Sequence, residues 1–174
     1  FNLTVDSKQG HVAYPELSDN PIDRLVRILT DLKAKPLDSG NEDFDPSNLE
    51  ITDITVGNPT SNVIPGQAQA KFNIRFNNLH NPEALERLIK QICVKHSTNF
   101  VLESNCGSRP FINPENSKVI ECLKDSITKV IGKAPVLSTT GGTSDARFIK
   151  DACPVVEFGL LNKTAHHVDE HVSC

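Results

Sequence analysis

The stretch from Gln67 to Phe76 constrains the fold more than any other part of the chain. Ala68, Ala70, Phe72, Ile74 and Phe76 alternate strictly with Gln67, Gln69, Lys71, Asn73 and Arg75. A period of two puts the apolar set on one face and the polar set on the other, as in an antiparallel strand covered on one side only. The cover has to come from amphipathic helices, and two such patterns flank the strand. Asn20 and Pro21 form an N-cap and first-turn pair, followed by Ile22, Leu25, Val26, Leu29 and Leu32 at helical spacing. Asn81 and Pro82 repeat that opening before Leu85, Leu88, Ile89 and Ile92. Further strands are expected at Phe1–Ser7, Leu49–Val56 and Asn99–Glu103, with a Pro-, Asp- and Asn-rich loop over 36–48. The order is βαββαβ. Residues 1–107 are therefore expected to form a ferredoxin-like α+β domain, a four-stranded antiparallel sheet with two helices on one face.

The pattern changes after Gly107. A third helix is expected from Asn113-Pro114, with Val119, Leu123, Ile127, Val130 and Ile131 on its apolar face and Gly132 at its C-terminal cap. Strands are expected at Val136–Thr140 and Val155–Leu160, separated by Gly141-Gly142 and a short helix from Thr143. Alternating helix and strand over 108–174 reads as the edge of a parallel α/β sheet. Two strands do not make a stable sheet by themselves. The chain contains no methionine, opens in an alternating segment and stops after a histidine-rich stretch, so it is expected to be a piece of a longer protein.

Composition narrows the classes. Of 174 residues, 37% are hydrophobic and 23% charged, which favours a soluble globular protein over a disordered one. The net charge of −4 lacks the basic face that nucleic-acid binding needs. No apolar run approaches the roughly 18 residues that span a bilayer. The five cysteines form no CxxC pair; they are expected to be reduced thiols in a cytoplasmic setting, most of them small core fillers.

Four segments hold candidate chemistry. Gly10-His11-Val12-Ala13-Tyr14-Pro15 follows the first strand, and its histidine is either a proton shuttle and hydrogen-bond donor or an ordinary surface histidine. Ser61-Asn62-Val63-Ile64-Pro65-Gly66 reads as a turn between strands. Gly141-Gly142-Thr143-Ser144-Asp145-Ala146-Arg147 is either an anion cradle at a helix start or a capped turn, and it lacks the Lys-Ser/Thr of a phosphate loop. Residues 162–171 hold three of the six histidines beside two carboxylates, which is either one metal ligand or a solvated polar loop.

In their order, GHVAYP, TSNVIP, GGTSDARF and EFGxxNxTxHxVxE resemble the two-metal aminoacylase and carboxypeptidase family over essentially the whole chain. The resemblance implies a ferredoxin-like lid and dimerisation domain, 1–107, followed by the C-terminal portion of an α/β zinc-hydrolase catalytic domain, 108–174. It implies a metal-dependent amidohydrolase that is cytoplasmic, acts on a small-molecule substrate and forms a homodimer through the lid, with neither nucleic acid nor membrane as a partner. His166 falls on the last metal ligand, and His11 on the lid histidine that stabilises an oxyanion in the partner subunit's site. Asn62, Arg75, Gly142, Thr143 and Asn162 fall on positions that bind substrate. The cofactor implied is two zinc ions per full-length subunit, with cobalt as the alternative metal. The family's His-x-Asp motif, bridging Asp and Glu-Glu pair are not in this chain, so the piece alone is expected to be inactive. Its rivals are a sister amidohydrolase with another acyl group and a non-catalytic ferredoxin-like dimerisation or ligand-sensing module. An RNA-binding module is disfavoured, because Phe72 and Phe76 sit where helices would cover them.

Overall fold

The computed structural model describes residues 1–114, 116–140, 144–159 and 162–172. The chain divides into two compact units, Phe1–Pro110 and Phe111–Cys174. In the first, β1 (Asn2–Asp6) leads to a two-residue strand β2 (Gly10–His11), a 3-10 turn (Pro15–Leu17) and helix α1 (Pro21–Lys33). There follow β3 (Asn48–Thr55), a two-residue β4 (Val63–Ile64), β5 (Gln67–Arg75), helix α2 (Pro82–His96) and β6 (Phe100–Glu103). The long strands form one antiparallel sheet in the order β3-β5-β1-β6, while β2 and β4 pair separately. This is the ferredoxin-like arrangement the alternation implies.

Both helices start where their caps dictate. Asn20 accepts from Ile22 N–H at 3.1 Å and Asn81 from Ala84 N–H at 2.8 Å, each with proline at the first helical position. The core is Leu3, Val5, Ala68, Ala70 and Phe72 from the sheet against Leu25, Ile28, Leu29 and Leu32 from α1 and Ile89 and Cys93 from α2. Two details differ from expectation. Ile28, fully buried, takes the inward place, whereas Val26 is 54% exposed. The inward row is 25, 28, 29, 32, and Val26 lies one step round the helix from it. Likewise Cys93 is buried with Leu85 and Ile89, and Leu88 faces outward. Burial pushes the Cys93 thiol up to about 11. The expectation that most cysteines fill the core is corrected: Cys106, Cys122 and Cys153 are exposed, and Cys174 lies outside the described residues.

In β3 the apolar residues Leu49, Ile51, Ile54 and Val56 break the period of two by one residue. A bulge between Ile51 and Asp53 absorbs the extra residue, so Ile51 stands opposite Phe72 and Ile54 opposite Ala70.

The loop before β3 is organised by one carboxylate. Asp38 accepts from Gly40 N–H (2.7 Å), Ser47 N–H (3.2 Å) and Asn77 Nδ2 (2.8 Å), and faces His80 Nε2 at 3.0 Å. Asn77 N–H in turn donates to Ser47 Oγ at 3.0 Å. The Asp38 side chain is 9% exposed. Desolvation opposes its charge, but the hydrogen bonds from Ser47, Gly40 and Asn77 outweigh it and hold the carboxyl well below the usual range. Gly40 takes φ 74°, and a Cβ there would meet Phe44 O at 2.6 Å, so this turn needs glycine.

The second unit contains helix α3 (Lys118–Ile131), a four-residue helix α4 (Ala146–Ile149) and a 3-10 turn (Asn162–Thr164). Gly132 closes α3 in the left-handed region as expected. The helix starts at Ser117 and not at Asn113-Pro114, because Asn113 instead donates its amide to Val155 O at 2.7 Å. Ile127 is buried while Val130 is 85% exposed, so the inward row is narrower than expected. The strands expected at 136–140 and 155–160 are not formed among the described residues, and Val136 is 89% exposed. Alternation supplies a face but not a ladder, and an extended segment without a paired neighbour is not a strand. The start expected for α4, Thr143, lies outside the described residues.

Replacing Asp38 by Ala strands the buried donors around it and is expected to cost about 3 kcal/mol in urea unfolding at neutral pH. Folding depresses this carboxyl, so its contribution is complete above the unfolded-state value near 4 and is lost as pH falls. The stability gap between native chain and variant should therefore hold from neutral pH to about 5 and shrink toward about 3. A gap that grows on acidification would contradict the assignment.

Candidate functional site

Two of the candidate residues of the first unit, His11 and Asn62, lie at the β2–β4 ribbon. Gly10 pairs with Ile64 and His11 with Val63, and Val12 N–H donates to Asn62 O at 3.2 Å. His11 and Asn62, 51 positions apart in the chain, thus stand at the same end of one ribbon. The ribbon is anchored at its other end by Ser7 N–H to Gly66 O at 2.8 Å and by Ile64, which is buried. Asn58 Nδ2 holds Val63 O at 2.8 Å.

Glycine at position 10 has a steric cause. A Cβ there would collide with the Ser18 side chain, which the 3-10 turn brings against the strand. The turn itself closes by Tyr14 N–H on His11 O at 3.0 Å, and Ala13 N–H reaches His11 Nδ1 at 3.1 Å. The Tyr14 ring stands 5.9 Å from the imidazole, tilted by 50°. His11, Tyr14 and Asn62 are all exposed. An accessible imidazole beside an aromatic ring suits hydrogen bonding to a polar ligand. The pairing itself is what the sequence reading missed: both segments look like loops, and two-residue strands carry no periodicity.

Arg75 is not brought to this ribbon. It closes β5 opposite Asn48, eight residues beyond Gln67, or about 26 Å at 3.3 Å per residue.

In the second unit, Asn162 opens the 3-10 turn that leads to His166. His166 adopts φ 63°, the left-handed region, and its N–H donates to Glu170 Oε2 at 3.2 Å. Thr164 Oγ1 bridges back to His171, donating to its carbonyl at 2.6 Å and accepting its N–H at 3.1 Å. A histidine in this region costs roughly 1 kcal/mol, and such strain concentrates at functional loops. His166 is exposed and able to ligate, but among the described residues no three His, Cys, Asp or Glu side chains are grouped to hold a metal ion. The residues present supply one imidazole and not a whole site. Gly142 and Thr143 lie outside the described residues. Beside them, Ser144 Oγ accepts from Ala146 N–H at 3.2 Å, while the N-cap of α4 is Asp145, whose side chain makes no capping hydrogen bond.

Residues 1–100 match the family model of the peptidase dimerisation domain. The chain is 47% identical over 173 residues to the succinyl-diaminopimelate desuccinylase of Wolbachia pipientis wMel, covering 99% of this chain and 43% of that protein. To the protein of the same name from Rickettsia bellii (strain RML369-C) it is 49% identical over 175 residues, covering 98% and 44%. The chain thus spans less than half the length of these relatives. Among solved structures, an M20 family metallo-carboxypeptidase from Sulfolobus solfataricus superposes with a TM-score of 0.64 at 17% identity, covering 85% of this chain and 52% of that one. Aminopeptidase PepT from Bacillus cereus ATCC 10987 gives 0.66 at 22% identity, covering 86% and 39%. These two likenesses concern the fold.

The steric reason for Gly10 is open to direct test. Gly10→Ala is expected to lower stability by about 1–3 kcal/mol in thermal or urea melts, as for other forced overpacking. Ser18→Gly in the same chain should recover most of that loss, since it removes the atom that collides. A variant as stable as the native chain would mean that the close approach is absent.

Proposed function

Because the chain belongs to the M20 peptidase dimerisation-domain family, we propose that it forms part of a succinyl-diaminopimelate desuccinylase. On that proposal the full-length enzyme is cytoplasmic and hydrolyses the amide of N-succinyl-LL-2,6-diaminopimelate to succinate and diaminopimelate. In this reading residues 1–107 are the lid through which two subunits associate, and residues 108–174 are the C-terminal part of the catalytic domain. The observation that carries it is the ribbon that brings the His11 and Asn62 segments to one exposed end. This is an exposed donor pair on the domain that dimerises, suited to reaching another subunit's substrate. The identity of 47–49% over nearly the whole chain to relatives of that name supports the choice of substrate.

His11 donates a hydrogen bond to the oxygen of the scissile amide as negative charge gathers on it. A preorganised donor of this kind is worth about 10²–10³ in kcat. Asn62 and Arg75 contact the carboxylate end of the substrate or its scissile region. Gly142, Thr143 and Asn162, in the second unit, also bind substrate. The metal is zinc or cobalt, two ions per full-length subunit, which when bound polarise the amide and activate water. His166 is the residue here that would bind one of them. One imidazole does not retain a metal pair, so the chain alone turns over no substrate.

In the complete enzyme, His11→Ala is expected to lower kcat by about two to three orders of magnitude with metal content unchanged. Mixing that variant with one disabled at the metal site should restore part of the activity, because a hybrid dimer holds one intact combination. No recovery after subunit exchange would place His11 outside the partner's site.

A further inference from the structure

His11 is tied to its own turn by two backbone amides. Tyr14 N–H closes on its carbonyl at 3.0 Å, and Ala13 N–H points at its Nδ1 at 3.1 Å. A ring nitrogen that accepts a backbone N–H carries no hydrogen of its own. The single N–H of the neutral imidazole then sits on Nε2, the nitrogen farther from the main chain. We propose that Ala13 is a positioning residue whose backbone N–H holds His11 in the Nε2–H tautomer, so that the ribbon presents a donor at its exposed end. This rests on the reading of His11 as the oxyanion donor.

The choice of tautomer decides what His11 can do. An Nε2 bearing hydrogen attracts a developing oxyanion, whereas an Nε2 bearing a lone pair repels it. Turning the ring over would place a carbon where Ala13 N–H now finds an acceptor. The Tyr14 ring, 5.9 Å away, lines one side of the imidazole. The ribbon contributes as well. β2 pairs with β4, and Gly10 lets the strand lie against Ser18, so the turn that carries the Ala13 amide is fixed relative to the core. Every part of this device lies within residues 10–18 and 62–64 of one chain. It requires neither partner subunit nor metal.

Long-range proton–nitrogen correlation spectra of the 174-residue chain, labelled with 15N-histidine, read the tautomer directly. His11 is assigned by the resonance missing from His11→Gln. With the ring neutral, the expected result is a protonated Nε2 and an unprotonated Nδ1. Ala13→Pro, which has no N–H to give, should move both nitrogens toward the averaged shifts of free imidazole. A protonated Nδ1, or averaged shifts in the unaltered chain, overturns the proposal whether or not the proline variant folds. In the complete enzyme, Ala13→Pro is expected to lower kcat by about 10- to 100-fold with KM and metal content unchanged. Full activity of His11→Ala beside a locked tautomer would remove the oxyanion role and leave the tautomer assignment standing.

Discussion

Everything in the first unit hangs on β1. Five residues long, it pairs with β5 on one side and β6 on the other, and it sends Leu3 and Val5 into the core with no exposure at all. Burial of side chains of this size is worth roughly 1.5–3 kcal/mol each. A central strand between two long-range partners also has a tightly determined register, since a slip of one residue would turn both apolar side chains to solvent. Four residues beyond Asp6 the chain enters the ribbon. The position of His11 is therefore inherited from the packing of Leu3 and Val5.

The parts of this fold legible in the sequence are those with long periods of repetition. The alternation over 67–76 and the two Asn-Pro helix openings each repeat one geometric rule over many residues, and the structure follows them. What was not legible depends on partners distant in sequence. Ile28 and Val26 are alike in chemistry, and only the direction of the sheet decides which is inward. The β2–β4 ribbon rests on two pairs of residues, too few to leave a pattern. Asn113-Pro114 resembles the two true helix openings, yet Asn113 is used by Val155 and the helix begins at Ser117. Of the candidate site, the residue types in GHVAYP and TSNVIP could be singled out one segment at a time. Their adjacency could not.

The polar interior of this unit obeys a different rule from its apolar core. Ser47 and Asn77 are buried, Asp38 is half-buried beside them, and the three answer one another's hydrogen-bonding needs. Such a cluster adds little net stability when complete and costs heavily when one member is removed. It fixes the long loop between α1 and β3 to the residues that follow β5, so α1 and the edge strand share a single frame.

The two-residue ribbon has an evolutionary consequence. In an antiparallel pair the facing side is set by parity, so His11 and Val63 share a face only while an exact register holds. Residues 57–61 lie outside the ribbon and are exposed, so this loop can lengthen or shorten across descendants at the cost of the Asn58 bond to Val63 O while the β2–β4 register holds. Pro65 and Gly66, which join β4 to β5, have no such latitude. One residue gained or lost there would present the opposite face of β4 to β2, while the sheet beneath stayed intact. Lineages should accordingly drift in length before Ser61 and stay constant between Ile64 and Gln67.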